Sequence, residues 1–215
     1  MSEVLAKMAE KLIAGDINGV VDLTQEALNS GIAPPDVLEN GLLAGMDVVG
    51  QRFKANDMFI PEVLRCARAM HGAMAILRPL LSESDAIRPG KLVVGTVKGD
   101  LHDIGKNLVG MMFEGAGFEV VDIGIDIDVQ SFVEAVKEHK PDIVGMSALL
   151  TTTMPKMGET INALKEAGIR DQVKIMIGGA PVTSAFGDEI GADAYASNAA
   201  SAVDKAKELL GRTRR

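Results

Sequence analysis

Apolar side chains recur every three or four residues over the first eighty or so positions of the chain, which is the pattern of amphipathic helices. Capping and turn residues divide this region into four segments, which begin after Ser2, after Asp16, at Pro34-Pro35 and at Pro61. Helices joined by such short loops predict a small antiparallel four-helix bundle.

The second part of the chain alternates between short apolar runs and segments with helical spacing. Because nearly continuous apolar strands must be covered on both faces, this alternation predicts a five-stranded parallel sheet between helices, a doubly wound α/β domain of the Rossmann or flavodoxin-like type. The predicted strands are 92–97, 118–123, 143–146, 173–177 and 192–196. The predicted helices are 104–113, 129–139, 156–167, 181–190 and 199–210.

A polar stretch that ends in the turn signal Pro89-Gly90 separates the two patterns. We therefore expect a helical bundle over residues 1–83, a linker over 84–90 and an α/β domain over 91–215.

Composition narrows the classes of function. The net charge of −8 argues against nucleic-acid binding, which needs a clustered basic face. No apolar run reaches the roughly 18 residues of a membrane span, so we expect no membrane association. With Cys66 as its one cysteine, the chain cannot form an intramolecular disulfide, and we expect it in a reducing cytoplasm.

The loop after the first predicted strand carries the first candidate chemistry, because ligands of doubly wound folds bind at the carboxyl ends of the strands. Asp100 and His102 are two residues apart and point to the same side of an extended loop. The loop contains neither a dinucleotide nor a triphosphate motif, and its donors are too few for a zinc site. On position alone, a loop histidine that is bonded to a neighbouring aspartate and holds no ligand fits equally well.

Two further strand ends complete a pattern. The third predicted strand ends in a segment from Ser147 to Thr153, and the fourth ends in Gly178-Gly179. Together, Asp-x-His-x-x-Gly at 100–105, Ser-x-Leu at 147–149 and Gly-Gly at 178–179 resemble the base-off, histidine-on cobalamin-binding domain of methionine synthase and of the stand-alone corrinoid proteins. The segment 58–70 resembles the helical cap that precedes that domain.

This resemblance implies a cofactor, cobalamin or a related corrinoid, whose cobalt alternates between cob(I)alamin and methylcob(III)alamin. It implies that His102 is the lower cobalt ligand, that Asp100 hydrogen-bonds its second ring nitrogen, and that Thr153 extends the relay where methionine synthase has a serine. The family places no catalytic residue in the usual sense here. The other cofactor-binding residues it implies are Phe59 in the cap, Asp103, Ile104, Gly105, Ser147, Leu149, Thr151, Gly178 and Gly179.

The function implied by the resemblance is a methyl carrier that does not turn over alone. It would carry a methyl group from a methylamine, methanol or methoxy-aromatic substrate to tetrahydrofolate or a thiol such as coenzyme M. Its expected partners are a substrate-specific methyltransferase, an acceptor methyltransferase and a reductive activation protein. A cobalamin-dependent sensor is the alternative, although the DNA-binding or signalling segment of such regulators is not visible. The small subunit of a mutase would lack the helical region 1–81.

Overall fold

The computed structural model describes residues 2–81 and 89–211. These residues divide into two compact units, one built from 2–81 with 114–117 and the other from 89–113 with 118–211. Most of the expected linker, residues 84–88, lies outside the described residues, so the three domain boundaries stay predictions.

The first unit is helical, as predicted. Ser2 and Asp16 cap the first two helices, because their side chains accept hydrogen bonds from the amides of Leu5 and Gly19. Helix α1 packs against α2 and α4, and α2 packs against α5. The helices are α1 (Glu3–Ile13), α2 (Ile17–Asn29), α3 (Pro34–Asp36), a π-helix (Val37–Leu43), α4 (Ala44–Lys54) and α5 (Ile60–Leu77), followed by a 3₁₀ turn (Arg78–Leu80).

The third predicted helix differs from the observed structure, because a π-helical stretch joins α3 to α4. Gly41 lies within that stretch, where a Cβ atom would come within 2.7 Å of Met8 Sδ. The missing side chain therefore lets α1 approach closely.

In α2 the buried face includes the polar Thr24, whose hydroxyl donates to the carbonyl of Val20 at 2.8 Å.

The second unit contains a parallel sheet with the strand order β2-β1-β3-β4-β5, which confirms the predicted doubly wound α/β fold. No helix in the described part of the chain combines the length and apolar character needed to cross a bilayer. The strands are β1 (Lys91–Val97), β2 (Glu119–Ile127), β3 (Ile143–Ser147), β4 (Lys174–Gly178) and β5 (Ala194–Tyr195). The helices are α6 (Ile104–Gly115), α7 (Val129–His139), α8 (Pro155–Glu166), α9 (Ser184–Ile190) and α10 (Ala199–Leu209).

Strand β1 lies at the centre of the change in strand order, since it pairs with β2 on one side and β3 on the other. After β1 the chain crosses to β2, and after β2 it returns to β3, so the loops after β1 and β3 leave the sheet side by side. This is the switch point at which doubly wound folds bind their ligands. Strand β2 continues to Ile127, beyond its predicted end at 123, through register shifts in its pairing with β1.

Candidate functional site

The loop after β1 joins two buried residues through an exposed run. Asp100 and Lys106 are buried, whereas all five residues 101–105 between them are exposed. Helix α6 begins at Ile104, so the exposed run ends in its first turn. His102 is the second residue of this run.

Asp100 and His102 form a close pair. The His102 ring nitrogen Nδ1 lies 2.7 Å from Asp100 Oδ1, and the same oxygen accepts the His102 backbone N–H at 3.1 Å. The carboxylate is fully buried, while the imidazole is 51% exposed. Because an ionised carboxylate only accepts, Nδ1 carries the proton of the neutral ring and Nε2 keeps its lone pair. No described residue forms a hydrogen bond with Nε2.

The second oxygen of Asp100 binds the loop after β3. Asp100 Oδ2 accepts the backbone N–H groups of Leu149 at 2.7 Å and Leu150 at 3.2 Å. The Thr153 hydroxyl oxygen is 2.9 Å from Asp100 Oδ2 and also 2.9 Å from the carbonyl of Leu150, so its single proton can be donated to either acceptor. The buried carboxylate thus joins the loops of two adjacent strands.

These contacts keep Asp100 ionised. Burial by itself raises the pKa of this carboxyl, but the hydrogen bonds from Leu149, from the His102 ring and backbone and from Thr153 outweigh burial. The net effect is a pKa of Asp100 below the ordinary value of an aspartate. The carboxylate is therefore a permanent negative charge beside the His102 ring at neutral pH.

Asp126, at the end of β2, holds the chain just before Asp100. Its side chain accepts the Gly99 backbone N–H at 2.8 Å and pairs with Lys98 at 3.1 Å. Its own N–H donates to the Asp100 carbonyl at 3.1 Å. Asp126 has a φ of +56°, the left-handed conformation that aspartate tolerates better than most residues. The sequence does not indicate this residue, because nothing in a strand-like run marks a left-handed end.

A second polar network, also missed, holds the start of α6. Lys106 is buried and pairs with Asp122 on β2. Its ammonium donates to Asn107 Oδ1 at 2.7 Å, and the Asn107 amide donates to Asp103 Oδ2 at 3.1 Å. The exposed Asp103 is thereby tied to a buried charge. The sequence did carry a signal for this network, because Lys106 stands in a helix whose other positions are mostly apolar.

The glycines of the predicted motifs have different surroundings. At Gly179 the φ is +130° and a Cβ atom would lie 1.8 Å from the carbonyl oxygen of Ala148, so the close approach of the protein's own backbone requires glycine. At Gly178 the nearest atom would be the Ala196 carbonyl oxygen at 3.2 Å. At Gly105 no heavy atom lies within 4 Å, so the space beside it is open. That the three glycines bind the cofactor stays a prediction.

The other predicted residues lie at or after the carboxyl ends of β1 and β3, apart from Phe59, which lies in the helical unit. Ser147 ends β3, where it pairs with Thr96 on β1 and with Gly178 on β4, and Thr151 is exposed in the following loop. Phe59 lies in the helical unit and is exposed, and its contact with the cofactor stays a prediction. Large apolar side chains are exposed on the loops after β1 and β3: Leu101, Ile104, Leu149 and Leu150.

Comparison with protein families gives two matches. The B12 binding domain model matches residues 90–204, and a second B12 binding domain model matches residues 4–78. The chain belongs to the B12-binding corrinoid proteins.

Curated relatives of this corrinoid protein match over nearly their whole length. The dimethylamine corrinoid protein of Methanosarcina barkeri is 46% identical over 209 residues, which cover 97% of this chain and 98% of the relative. The trimethylamine corrinoid protein 1 of Methanosarcina acetivorans is 43% identical over 210 residues, covering 97% of each chain.

Two solved structures are also similar to this corrinoid protein. A cobalamin-binding protein from Desulfitobacterium hafniense has a TM-score of 0.79 and 36% identity, with 96% of this chain and 98% of that chain covered. A chain of the methanol:cobalamin methyltransferase complex of Methanosarcina barkeri has a TM-score of 0.88 and 30% identity, with 99% of this chain and 81% of that chain covered. The cofactor of the family is cobalamin or a related corrinoid.

The donor set of this corrinoid protein fits that cofactor. Within residues 2–81 and 89–211, no group of three or more His, Cys, Asp or Glu side chains could hold a metal ion by itself. A cobalt ion that is already held by a corrin ring would need few further ligands from the protein, and a neutral imidazole with an unbonded Nε2 could supply one. The exposed apolar side chains on the loops that flank His102 suit a large macrocycle.

Proposed function

We propose that this corrinoid protein carries methyl groups between two methyltransferases, with His102 as the lower ligand of its cobalt. When bound, the corrinoid supplies a cobalt ion that can receive a methyl group and release it again. The observation that carries the proposal is the Asp100–His102 pair, in which a buried carboxylate holds an exposed imidazole by its Nδ1.

The pair supports this proposal because it would prepare His102 to bind a metal. With its proton on Nδ1 held by Asp100, His102 presents an unprotonated Nε2, and the negative charge of Asp100 makes that nitrogen a better donor. The imidazole is half exposed while Asp100 is buried, so the carboxylate would hold the ring in the same orientation whether or not a metal is bound to Nε2.

Thr153 is the third member of the proposed relay. Its hydroxyl lies within hydrogen-bonding distance of both Asp100 Oδ2 and the Leu150 carbonyl. When Asp100 is less tightly held by the His102 ring, the Thr153 proton can point at Asp100, and it can otherwise turn to Leu150. A serine or threonine hydroxyl would serve this role equally.

The remaining predicted residues are proposed to surround the cofactor. Ile104 and Leu149 offer exposed apolar area, while Gly105 leaves open space next to the first turn of α6. Polar contacts to the cofactor are proposed for Asp103, Ser147 and Thr151, backbone contacts for Gly178 and Gly179, and a cap contact for Phe59.

Methylated amines are the proposed source of the methyl group. Relatives that share 43–46% identity over 97% of the chain are named dimethylamine and trimethylamine corrinoid proteins, whereas the chain from the methanol system shares 30%. The proposed partners are an amine methyltransferase, an acceptor methyltransferase that delivers the methyl group to tetrahydrofolate or a thiol, and a reductive activation protein.

The ligand assignment is tested with protein reconstituted with hydroxocobalamin and reduced to the cobalt(II) state. Electron paramagnetic resonance should show nitrogen splitting that changes when the histidine of the protein carries the heavy nitrogen isotope. His102→Ala should abolish that change, and His139→Ala, a second partly exposed histidine in the same unit, should keep it. Identical spectra for wild type and His102→Ala would refute the proposal.

The substrate class is tested separately. The cobalt(I) holoprotein is incubated with the methyltransferase that serves the dimethylamine relative and with dimethylamine, and the loss of the cobalt(I) absorption band is followed. Trimethylamine and methanol, each with its own methyltransferase, are the comparison reactions. Methylation only in the methanol reaction would reject the amine assignment and would leave the carrier function intact.

A further inference from the structure

Thr96 is a polar residue inside the most buried strand of the sheet. It lies near the end of β1, where Leu92, Val93, Val94 and Val97 are buried apolar residues, and its own exposure is zero. Its hydroxyl donates to the backbone carbonyl of His102 at 3.0 Å. A side chain in the sheet core is thus bonded to the backbone of the proposed cobalt ligand.

This contact completes the fixation of His102. Asp100 Oδ1 holds the backbone N–H and the ring Nδ1 of His102, but it does not reach the carbonyl. Thr96 holds that carbonyl. With both backbone polar groups bonded, the φ and ψ angles of His102 are restrained, and with them the direction in which the side chain leaves the loop.

The sheet itself does not need the hydroxyl. Thr96 pairs with Ser147 of β3 through the backbone ladder, and valine forms such ladders as well as threonine. Residues 101–105 are otherwise exposed, so little packing restrains the loop. The single hydrogen bond from Thr96 is therefore the link between the rigid core and the carbonyl side of His102.

We propose that Thr96 is a positioning residue, which holds the His102 backbone so that the imidazole keeps its place when Nε2 is released and bound again. The inference rests on the proposed function of His102 and adds a residue that is outside the Asp100–His102–Thr153 relay. Without the hydroxyl, His102 would retain its Asp100 contacts but would sample more orientations, so that less of the protein would present Nε2 correctly.

The test compares Thr96→Val, which removes the hydroxyl in a similar volume, with Thr96→Ser, which keeps it. The control is Thr160→Val on α8, because Thr160 is also buried and also donates to a backbone carbonyl, that of Lys156 at 2.8 Å. Should Thr96→Val fold poorly, Thr96→Ala against Thr96→Ser makes the same comparison of one hydroxyl. The probe is hydroxocobalamin, reduced to cobalt(II) for the spectra.

Two measurements report on positioning. In the apo-protein, Thr96→Val should speed hydrogen exchange of the His102 amide by roughly three- to tenfold, the size expected for one lost hydrogen bond. In the holoprotein, it should weaken hydroxocobalamin binding by roughly the same factor and lower the fraction of cobalt(II) with histidine nitrogen splitting. Thr96→Ser and Thr160→Val should match wild type in exchange, binding and splitting.

The outcomes separate this inference from the proposed function. If His102→Ala loses the nitrogen splitting but Thr96→Val keeps wild-type splitting, binding and exchange, Thr96 is only a core residue and the inference is wrong. If His102→Ala and wild type give the same spectrum, the proposed function fails and the inference falls with it. Equal effects of Thr96→Val and Thr160→Val on binding would point to general destabilisation and would also overturn it.

Discussion

The two ends of the same parallel sheet use aspartates in the same way and to different effect. At the amino end, Asp142 accepts the Lys91 N–H at 2.7 Å, and Asp193 accepts the Ile175 N–H at 2.7 Å, each from the neighbouring strand. At the carboxyl end, Asp100 accepts N–H groups from the loop after β3. A carboxylate that satisfies backbone donors is thus a structural device at both ends.

The difference lies in what else each carboxylate contacts. Asp193 also pairs with Arg170 at 2.8 Å, a cation that is itself held by backbone carbonyls and completes a closed structural cluster. Asp100 instead contacts the exposed ring of His102, whose second nitrogen has no partner among the described residues. The candidate site therefore differs from the structural cluster in one respect: a ring nitrogen without a hydrogen bond to any described residue lies beside a carboxylate whose own hydrogen bonds are complete.

The largest expected effect concerns two glycines with positive φ, one near each end. Gly168 precedes β4, with a φ of +70° and nothing within 4 Å of a Cβ atom, so Gly168→Ala should cost about 1 kcal/mol of stability. Gly179→Ala should cost roughly 3 kcal/mol, because its Cβ would also overlap the Ala148 carbonyl. Urea unfolding of the apo-proteins measures both. Equal costs for the two variants would show that the backbone of Ala148 can move away from residue 179 with little loss of stability.

The second prediction compares two aspartates directly. Asp100→Asn and Asp193→Asn should each destabilise the apo-protein by about 1–3 kcal/mol, because each leaves buried donors poorly satisfied. If His102 is the cobalt ligand as proposed, only Asp100→Asn should move the cobalt(II)/cobalt(I) midpoint, to a less negative potential, since weaker ligation would make cobalt(I) easier to reach. Spectroelectrochemical titration checks this, and a shift of similar size in Asp193→Asn would remove the distinction between the two ends.

How much of the two sheet ends could be predicted from the sequence depends on how far apart in the chain the interacting residues lie. Apolar runs located the strands to within a few residues, and the fold follows because buried strands have a local signature. The Asp100–His102 contact was also predictable, since it spans two residues. The contacts of Asp100 with Leu149 and Leu150 span about fifty residues, and no local pattern encodes them. The resemblance to cobalamin domains, and not periodicity, suggested that Thr153 belongs to the relay.

Other features lay beyond sequence reasoning for different reasons. The π-helix between α3 and α4 requires knowledge of which helix packs on Gly41. Thr96 reads as one more β-branched residue in a strand, and only the fold of the next loop gives its hydroxyl a partner. The left-handed conformation of Asp126 likewise depends on the meeting of β2 with the loop after β1.

The third prediction uses the pKa of Asp100, which is lower than ordinary in the folded protein. Such a carboxyl contributes stability that is complete above its unfolded pKa, about 3.9, and is lost as the pH falls toward the folded value. Wild-type apo-protein should therefore lose more stability between about pH 5 and about pH 3 than Asp100→Asn does. Thr153→Val, which removes one of the bonds that lower this pKa, should give an intermediate loss. Parallel pH profiles for all three proteins would contradict the assignment.

The smallest expected effect compares two non-glycine residues in the left-handed conformation. Lys140 ends α7 ahead of β3, at the amino end, with a φ of +46°, and Asp126 stands at the carboxyl end with a φ of +56°. Lys140→Gly should stabilise the apo-protein by about 0.5–1 kcal/mol, because relief of the left-handed strain exceeds the added entropy of the unfolded chain.

Asp126→Gly gains less relief, because aspartate tolerates the left-handed conformation better than lysine, and it loses the bonds to Gly99 and Lys98, so its unfolding midpoint should not rise above that of wild type. The loop that carries Asp100 should nevertheless become more mobile, and amide exchange at Gly99 should be faster in Asp126→Gly than in Lys140→Gly. Urea unfolding and hydrogen exchange on the same samples separate the two quantities. If Asp126→Gly were stabilised as much as Lys140→Gly with Gly99 still protected, the Asp126 side chain would contribute nothing to holding the loop, and the left-handed residue at the carboxyl end would be equivalent to the one at the amino end.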